Sequence, residues 1–251
     1  MPEVNITGPA GRLEARYHHN PEPNAPIAMI LHAHPQFGGT MNNPIVYHMY
    51  YMFLARGFSV LRFNFRGVGR SQGLFDNGPG ELSDAASALD WVQGHNPDAR
   101  FCFIAGAQFG SWIAMQLLMR RPEIQGFISV AAPANLYDYS FLAPCPSPGL
   151  MITGENDKVS PPQSVRELVD KKVKTQKGVK IDVQSVPGAN HFFDDNIDTL
   201  LEYLNFYLDA RLAELMPAPA LSVDDEILAA LEAPLEDGAE AAGEEFDPAA
   251  G

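Results

Sequence analysis

Cys102-Phe103-Ile104-Ala105-Gly106-Ala107-Gln108-Phe109-Gly110-Ser111-Trp112 is the stretch whose reading decides the fold. Residues Arg100–Ala105 read as a strand buried on both faces, because an uncharged apolar run bounded by glycine has no side to give to water. Phe109–Met119 reads as a helix. Between them lies Gly106-X-Gln108-X-Gly110, whose glycines permit a sharp strand-to-helix turn with Gln108 at its tip.

The same alternation extends outward in both directions. Upstream, Val4–Thr7 and Arg12–Tyr17 alternate apolar and polar residues around Gly8-Pro9-Ala10-Gly11 and predict a hairpin. Ile27–Ala33 and Phe58–Asn64 predict buried strands, and Asn43–Ala55 and Leu82–Gln93 predict helices. Downstream, Phe127–Ala131, Pro148–Thr153 and Val179–Val186 read as strands, and Pro162–Lys174 and Asp195–Leu215 as helices. Strands alternating with helices imply an α/β fold: a mostly parallel central sheet, helices on both faces, and an antiparallel N-terminal hairpin at its first edge. The connection Ala132–Ala143 is too short for a cap domain.

Three loops fall at the strand ends where chemistry collects. Gly154-Glu155-Asn156-Asp157 follows one strand and Gly188-Ala189-Asn190-His191-Phe192 follows the next. In chain order these are the acid and the imidazole of a triad whose third member sits at position 108. His32-Ala33-His34-Pro35-Gln36-Phe37-Gly38-Gly39-Thr40 follows the first buried strand. There the amides of Phe37 and Phe109 are the expected oxyanion donors. His34 has two readings, a loop-bracing ring and a rim residue. Arg66 and Arg70 read mainly as parts of a strand-end loop, with anion binding at the rim as the alternative. Tyr137, Tyr139 and Phe141 are expected aromatic rim residues, or else a sheet-edge or subunit contact.

At this point the chain resembles a branch of small bacterial α/β-hydrolases. Their His-Pro-X-X-Gly-Gly-Thr-Met-Asn-Asn block appears here as His34-Pro35-Gln36-Phe37-Gly38-Gly39-Thr40-Met41-Asn42-Asn43. A second block appears as Arg62-Phe63-Asn64-Phe65-Arg66-Gly67-Val68-Gly69-Arg70-Ser71-Gln72-Gly73. The resemblance covers residues 5 to 210 and implies ester or acyl hydrolysis. It breaks at residue 108, where the family pattern has Ser and this chain has Gln. A carboxamide is a very poor nucleophile near neutral pH, and covalent catalysis needs an activated hydroxyl, thiol or carboxylate. Ser111 lies one helical turn too far on to substitute. Three readings follow: a pseudoenzyme that binds or scaffolds, a hydrolase in which His191 and Asp157 activate water, and another proton-transfer reaction on the same scaffold.

The formal net charge of −14 is uneven: ten of the 31 acidic residues and none of the 17 basic ones lie from Pro217 to Gly251, which leaves the first 216 residues at −4. This predicts a domain over 1–216 and a largely disordered acidic tail over 217–251, with a short amphipathic helix at 223–231 suited to a protein partner. The balance disfavours nucleic acid and anionic membranes as partners. Cys102 and Cys145 show no metal spacing, and neither a metal nor a cofactor is expected. The N-terminus has no apolar leader, so a cytoplasmic protein is expected. The apolar segment Tyr47–Phe53 is expected to be either well buried or a homodimer contact.

Overall fold

The computed structural model describes residues 3–173 and 179–216. The acidic tail and its expected helix at 223–231 lie outside the described residues. The chain divides into two units, Met1–Leu208 and Asp209–Gly251, and the sheet belongs to the first.

The hairpin forms β1 (Glu3–Gly8) and β2 (Gly11–His18), joined by a tight turn. The apolar runs form β3 (Ile27–Leu31), β4 (Ser59–Phe63), β5 (Cys102–Ala107), β6 (Ile124–Val130), β7 (Gly149–Gly154) and β8 (Ile181–Val186). Their order in the sheet is β1-β2-β4-β3-β5-β6-β7-β8. The β1/β2 and β2/β4 pairs are antiparallel and all other pairs are parallel. The hairpin therefore closes the first edge, as the sequence predicts. β3 to β7 are buried nearly throughout, as a sheet covered on both faces requires.

Helices α2 (Pro79–Gly94), α3 (Phe109–Leu118) and α4 (Pro162–Leu168) share one continuous core with Met29, Leu61, Ile104, Phe127 and Met151. Side chains alternate along a strand, so Phe103, beside Ile104, faces the other way. There it meets Phe53 and Phe58 at ring separations of 6.2 and 5.9 Å. Phe53 belongs to α1 (Pro44–Leu54), which Asn43 caps by accepting from the Ile45 amide at 3.0 Å. Six residues of α1 are buried against the protein's own fold, while Tyr47 and Tyr51 stay partly exposed. Helix α5 (Ile197–Leu215) buries Leu200, Leu204 and Leu208.

The helix after β7 departs from expectation. The helix expected over Pro162–Lys174 is α-helical only to Leu168 and continues as a wider π turn, Val169–Val173. Both cysteines are buried and free. Among the described residues no helix is long and apolar enough to cross a membrane.

Candidate active site

The site is built around the turn between β5 and α3. Gln108 sits there with φ 53° and ψ −118°, a left-handed backbone that L side chains rarely adopt. The turn is held by close approach of backbone. A Cβ on Gly106 would come within 2.5 Å of the Gly110 carbonyl oxygen, and one on Gly110 would collide with the carbonyls of Leu31 and His32. The Gln108 amide donates to Val130 O at 2.8 Å, and its own carbonyl accepts from the Ser111 amide and hydroxyl at 2.9 and 2.7 Å. Ser111 is thus fully buried behind the turn and does not reach its tip. The Gln108 side chain, 9% exposed, donates through Nε2 to the His191 carbonyl at 3.3 Å.

The loops after β7 and β8 are tied together by their backbones. Glu155 N donates to Val186 O and Asn156 N to Ala189 O, both at 2.9 Å. This brings Asp157 to His191. Asp157 Oδ2 accepts from His191 Nδ1 at 2.8 Å, while Oδ1 accepts from the Val159 and Ser160 amides at 2.8 and 2.7 Å. Both side chains are buried. The carboxylate is acceptor-only, so it fixes the proton on Nδ1 and leaves Nε2 of the neutral ring with its lone pair. That is the arrangement of a general base.

Gln108 and His191 border a cavity of about 230 Å³, walled mainly by Phe109, Pro133, Leu136, Tyr137, Val159 and Phe192. His34 and Phe37 complete it. The His34 ring packs against Phe37, Phe75 and Phe109 at 4.6, 4.8 and 4.9 Å, and its Nδ1 accepts from the Gln36 amide at 3.2 Å. Burial holds its pKa below the ordinary histidine value. His34 is therefore both brace and wall. Tyr137 lines the cavity and stacks on Trp112 at 4.5 Å.

Other predicted site residues fall elsewhere. The Phe37 amide donates to His34 O at 3.1 Å inside its own turn, so it is not a free oxyanion donor; the Phe37 ring is 85% exposed. Phe109 opens α3, where amides have no intrahelical acceptor. Arg66 is spent on Asp84: Nε and Nη2 donate at 2.9 and 2.8 Å, and the Arg66 amide adds a third bond at 3.0 Å. Arg70 is drawn to the hairpin, with Nη1 2.7 Å from Glu3 and its amide 2.8 Å from Glu14 Oε2. Neither arginine borders the cavity, which corrects the anion-binding alternative. Tyr139 is buried, its hydroxyl 3.4 Å from Ser111 Oγ, and is not a rim residue. Phe141 stacks on it and is partly buried.

Sequence reasoning missed Leu136 and Phe192, 62% and 57% exposed at the mouth. Phe192 was in plain view beside His191, but an apolar residue in a loop carries no local sign of which way it faces. His32 was missed as well. Its Nδ1 donates to Ala33 O at 2.6 Å, and its Nε2 accepts from the Phe65 amide at 3.0 Å. Complete burial lowers its pKa to about 4. It locks the loop after β3 to the loop after β4. Among the described residues no group of His, Cys, Asp and Glu is placed to hold a metal ion.

Residues 11–204 match the sequence profile of the X-Pro dipeptidyl-peptidase (S15 family). An uncharacterized protein of Rickettsia prowazekii is 49% identical over 211 residues, which is 83% of this chain and 89% of that protein. A crystal structure from Agrobacterium tumefaciens, described as a protein of unknown function and candidate α/β-hydrolase, is 62% identical. It superposes with a TM-score of 0.83 over 87% of this chain and 100% of that one. A Coxiella burnetii α/β serine hydrolase homologue is 33% identical, with a TM-score of 0.76 over 82% and 97%.

Proposed function

The chain belongs to the X-Pro dipeptidyl-peptidase (S15) family within the α/β-hydrolase superfamily, and from that premise we propose that it is a hydrolase scaffold without its nucleophile, a small-molecule-binding protein whose acyl-transfer chemistry is lost. The observation that carries this reading is Gln108 at the tip of the strained β5–α3 turn, beside an ordered His191–Asp157 pair and an open cavity. The strained backbone is the form that presents a nucleophile, yet the group presented is a carboxamide. Loss of a triad serine removes several orders of magnitude of rate. What remains is the cavity, its walls and one acceptor nitrogen.

One observation favours a second reading, direct attack by water. The His191–Asp157 pair is assembled as a general base and lies at the wall of the cavity. A general base alone supplies about 10²–10⁴-fold acceleration. Activity of that size on activated esters fits this reading and is far below acyl-enzyme turnover.

The test is direct. The purified chain is treated with a fluorophosphonate and assayed on p-nitrophenyl acetate. We expect no covalent labelling, and any ester turnover to vanish in His191→Ala. Stoichiometric labelling would sink the proposal, because some other hydroxyl would then be acting as nucleophile.

A further inference from the structure

We infer that the cavity at Gln108 takes a compact, uncharged molecule carrying a hydroxyl group on an aromatic ring or similar apolar body. The inference rests on the reading that this site binds rather than turns over.

Size sets the first limit. An apolar cavity of about 150 Å³ holds benzene. The cavity here, about 230 Å³, is in proportion to nine or ten non-hydrogen atoms. Its walls set the second. Phe109, Tyr137, Leu136, Val159 and Phe192 offer ring faces and branched alkyl groups, which gain by covering an apolar body.

Charge sets the third. No Lys, Arg, Asp or Glu is among the described residues that line the cavity. Asp157, behind His191, is spent on three N–H donors and has a fully buried side chain, and Glu81, which acts on His34 from outside the lining, accepts from the Asp76 and Gly78 amides. An ion entering this space would lose its hydration with no countercharge to replace it.

The polar end selects the functional group. Asp157 fixes the proton on His191 Nδ1, so Nε2 of the neutral ring accepts a hydrogen bond. Gln108 Nε2 spends one N–H on the His191 carbonyl and carries a second. A matching group must therefore donate to an imidazole nitrogen and accept from an amide. A hydroxyl does both. An ether or ester only accepts and would leave Nε2 unpaired once the bound molecule covers it, which costs about tenfold or more in affinity.

Titration calorimetry on the full-length protein tests this with four probes of one shape: 4-ethylphenol, 4-ethylanisole, 4-ethylbenzoate and 4-ethylbenzylamine. We expect the phenol to bind about tenfold tighter than the ether, and tighter than either ion by at least that factor. Leu136→Trp and Val159→Phe add bulk at exposed positions of the mouth and should each weaken the phenol about tenfold, with thermal melting confirming the fold. Equal affinity for phenol and ether overturns the inference. So does tighter binding of the benzoate or the amine, unchanged affinity in both variants, or no binding of any probe. These failures leave the nucleophile-free reading standing, because fluorophosphonate labelling tests that reading independently.

Discussion

Replacing Gln108 by Gly should leave a more stable protein than replacing it by Ala. The backbone at φ 53°, ψ −118° is of the kind that costs about 1–3 kcal/mol for a residue with a Cβ. Glycine removes that cost but adds about 0.5–1 kcal/mol of unfolded-state entropy. Both substitutions also lose the Nε2 bond to the His191 carbonyl, which at 3.3 Å is long and worth about 1 kcal/mol at most. The net change for Gln108→Gly is therefore small and runs from about 1 kcal/mol destabilising to about 2 kcal/mol stabilising. Ala shares the lost bond and keeps the strain, so Gly should exceed Ala by about 1 kcal/mol. At an unstrained position the order is the reverse, with Ala ahead by about 0.5–1 kcal/mol. Urea unfolding of the three proteins at one temperature, with equal m-values, measures the order. In a domain of this size about 1 kcal/mol also moves the melting temperature by about 2–4 °C. Ala equal to or more stable than Gly would refute the claim that the turn is strained.

Two other predictions follow from buried polar groups. Asp84→Ala leaves the Arg66 guanidinium, largely buried, without its carboxylate, and should cost about 3–5 kcal/mol in urea unfolding. His32 is neutral in the fold, with its pKa lowered to about 4 from 6.5, so the unfolded chain binds the extra proton between those values. Its contribution is present above pH 6.5 and lost as pH falls toward 4, and stability should drop by about 2 kcal/mol from this group between pH 7 and pH 5. A flat urea midpoint across that range would contradict it.

Much of this architecture is legible in the sequence because it depends on local pattern. The β5–α3 turn is written in two glycines whose Cβ positions are filled by backbone. The order of Gln108, Asp157 and His191 along the chain places all three at strand ends on one side of the sheet. β6 begins three residues earlier than its apolar run predicts. Ile124 pairs with Cys102 across an irregularity in register, and Gln125 and Gly126 break the run. Nothing between Val169 and Val173 marks the change from α to π winding. The two arginines do lie in the strand-end loop, but their partners were not legible, for a topological reason. Arg66 meets Asp84 where the loop after β4 reaches α2, and Arg70 meets Glu3 across the hairpin edge. Partners 18 and 67 residues apart are set by the fold, not by spacing. The cavity mouth has the same origin, since Leu136, Val159 and Phe192 come from three separate loops.

The most direct test of the central claim, a hydrolase scaffold with Gln108 standing where the nucleophile belongs, is the gain of function in Gln108→Ser. The variant should react stoichiometrically with a fluorophosphonate and hydrolyse p-nitrophenyl acetate at least about 10²-fold faster than the unaltered protein. A further His191→Ala change should abolish both effects. A folded Gln108→Ser protein that gains neither labelling nor turnover would contradict the account, because His191, Asp157 and the cavity would then not be a working site awaiting one hydroxyl.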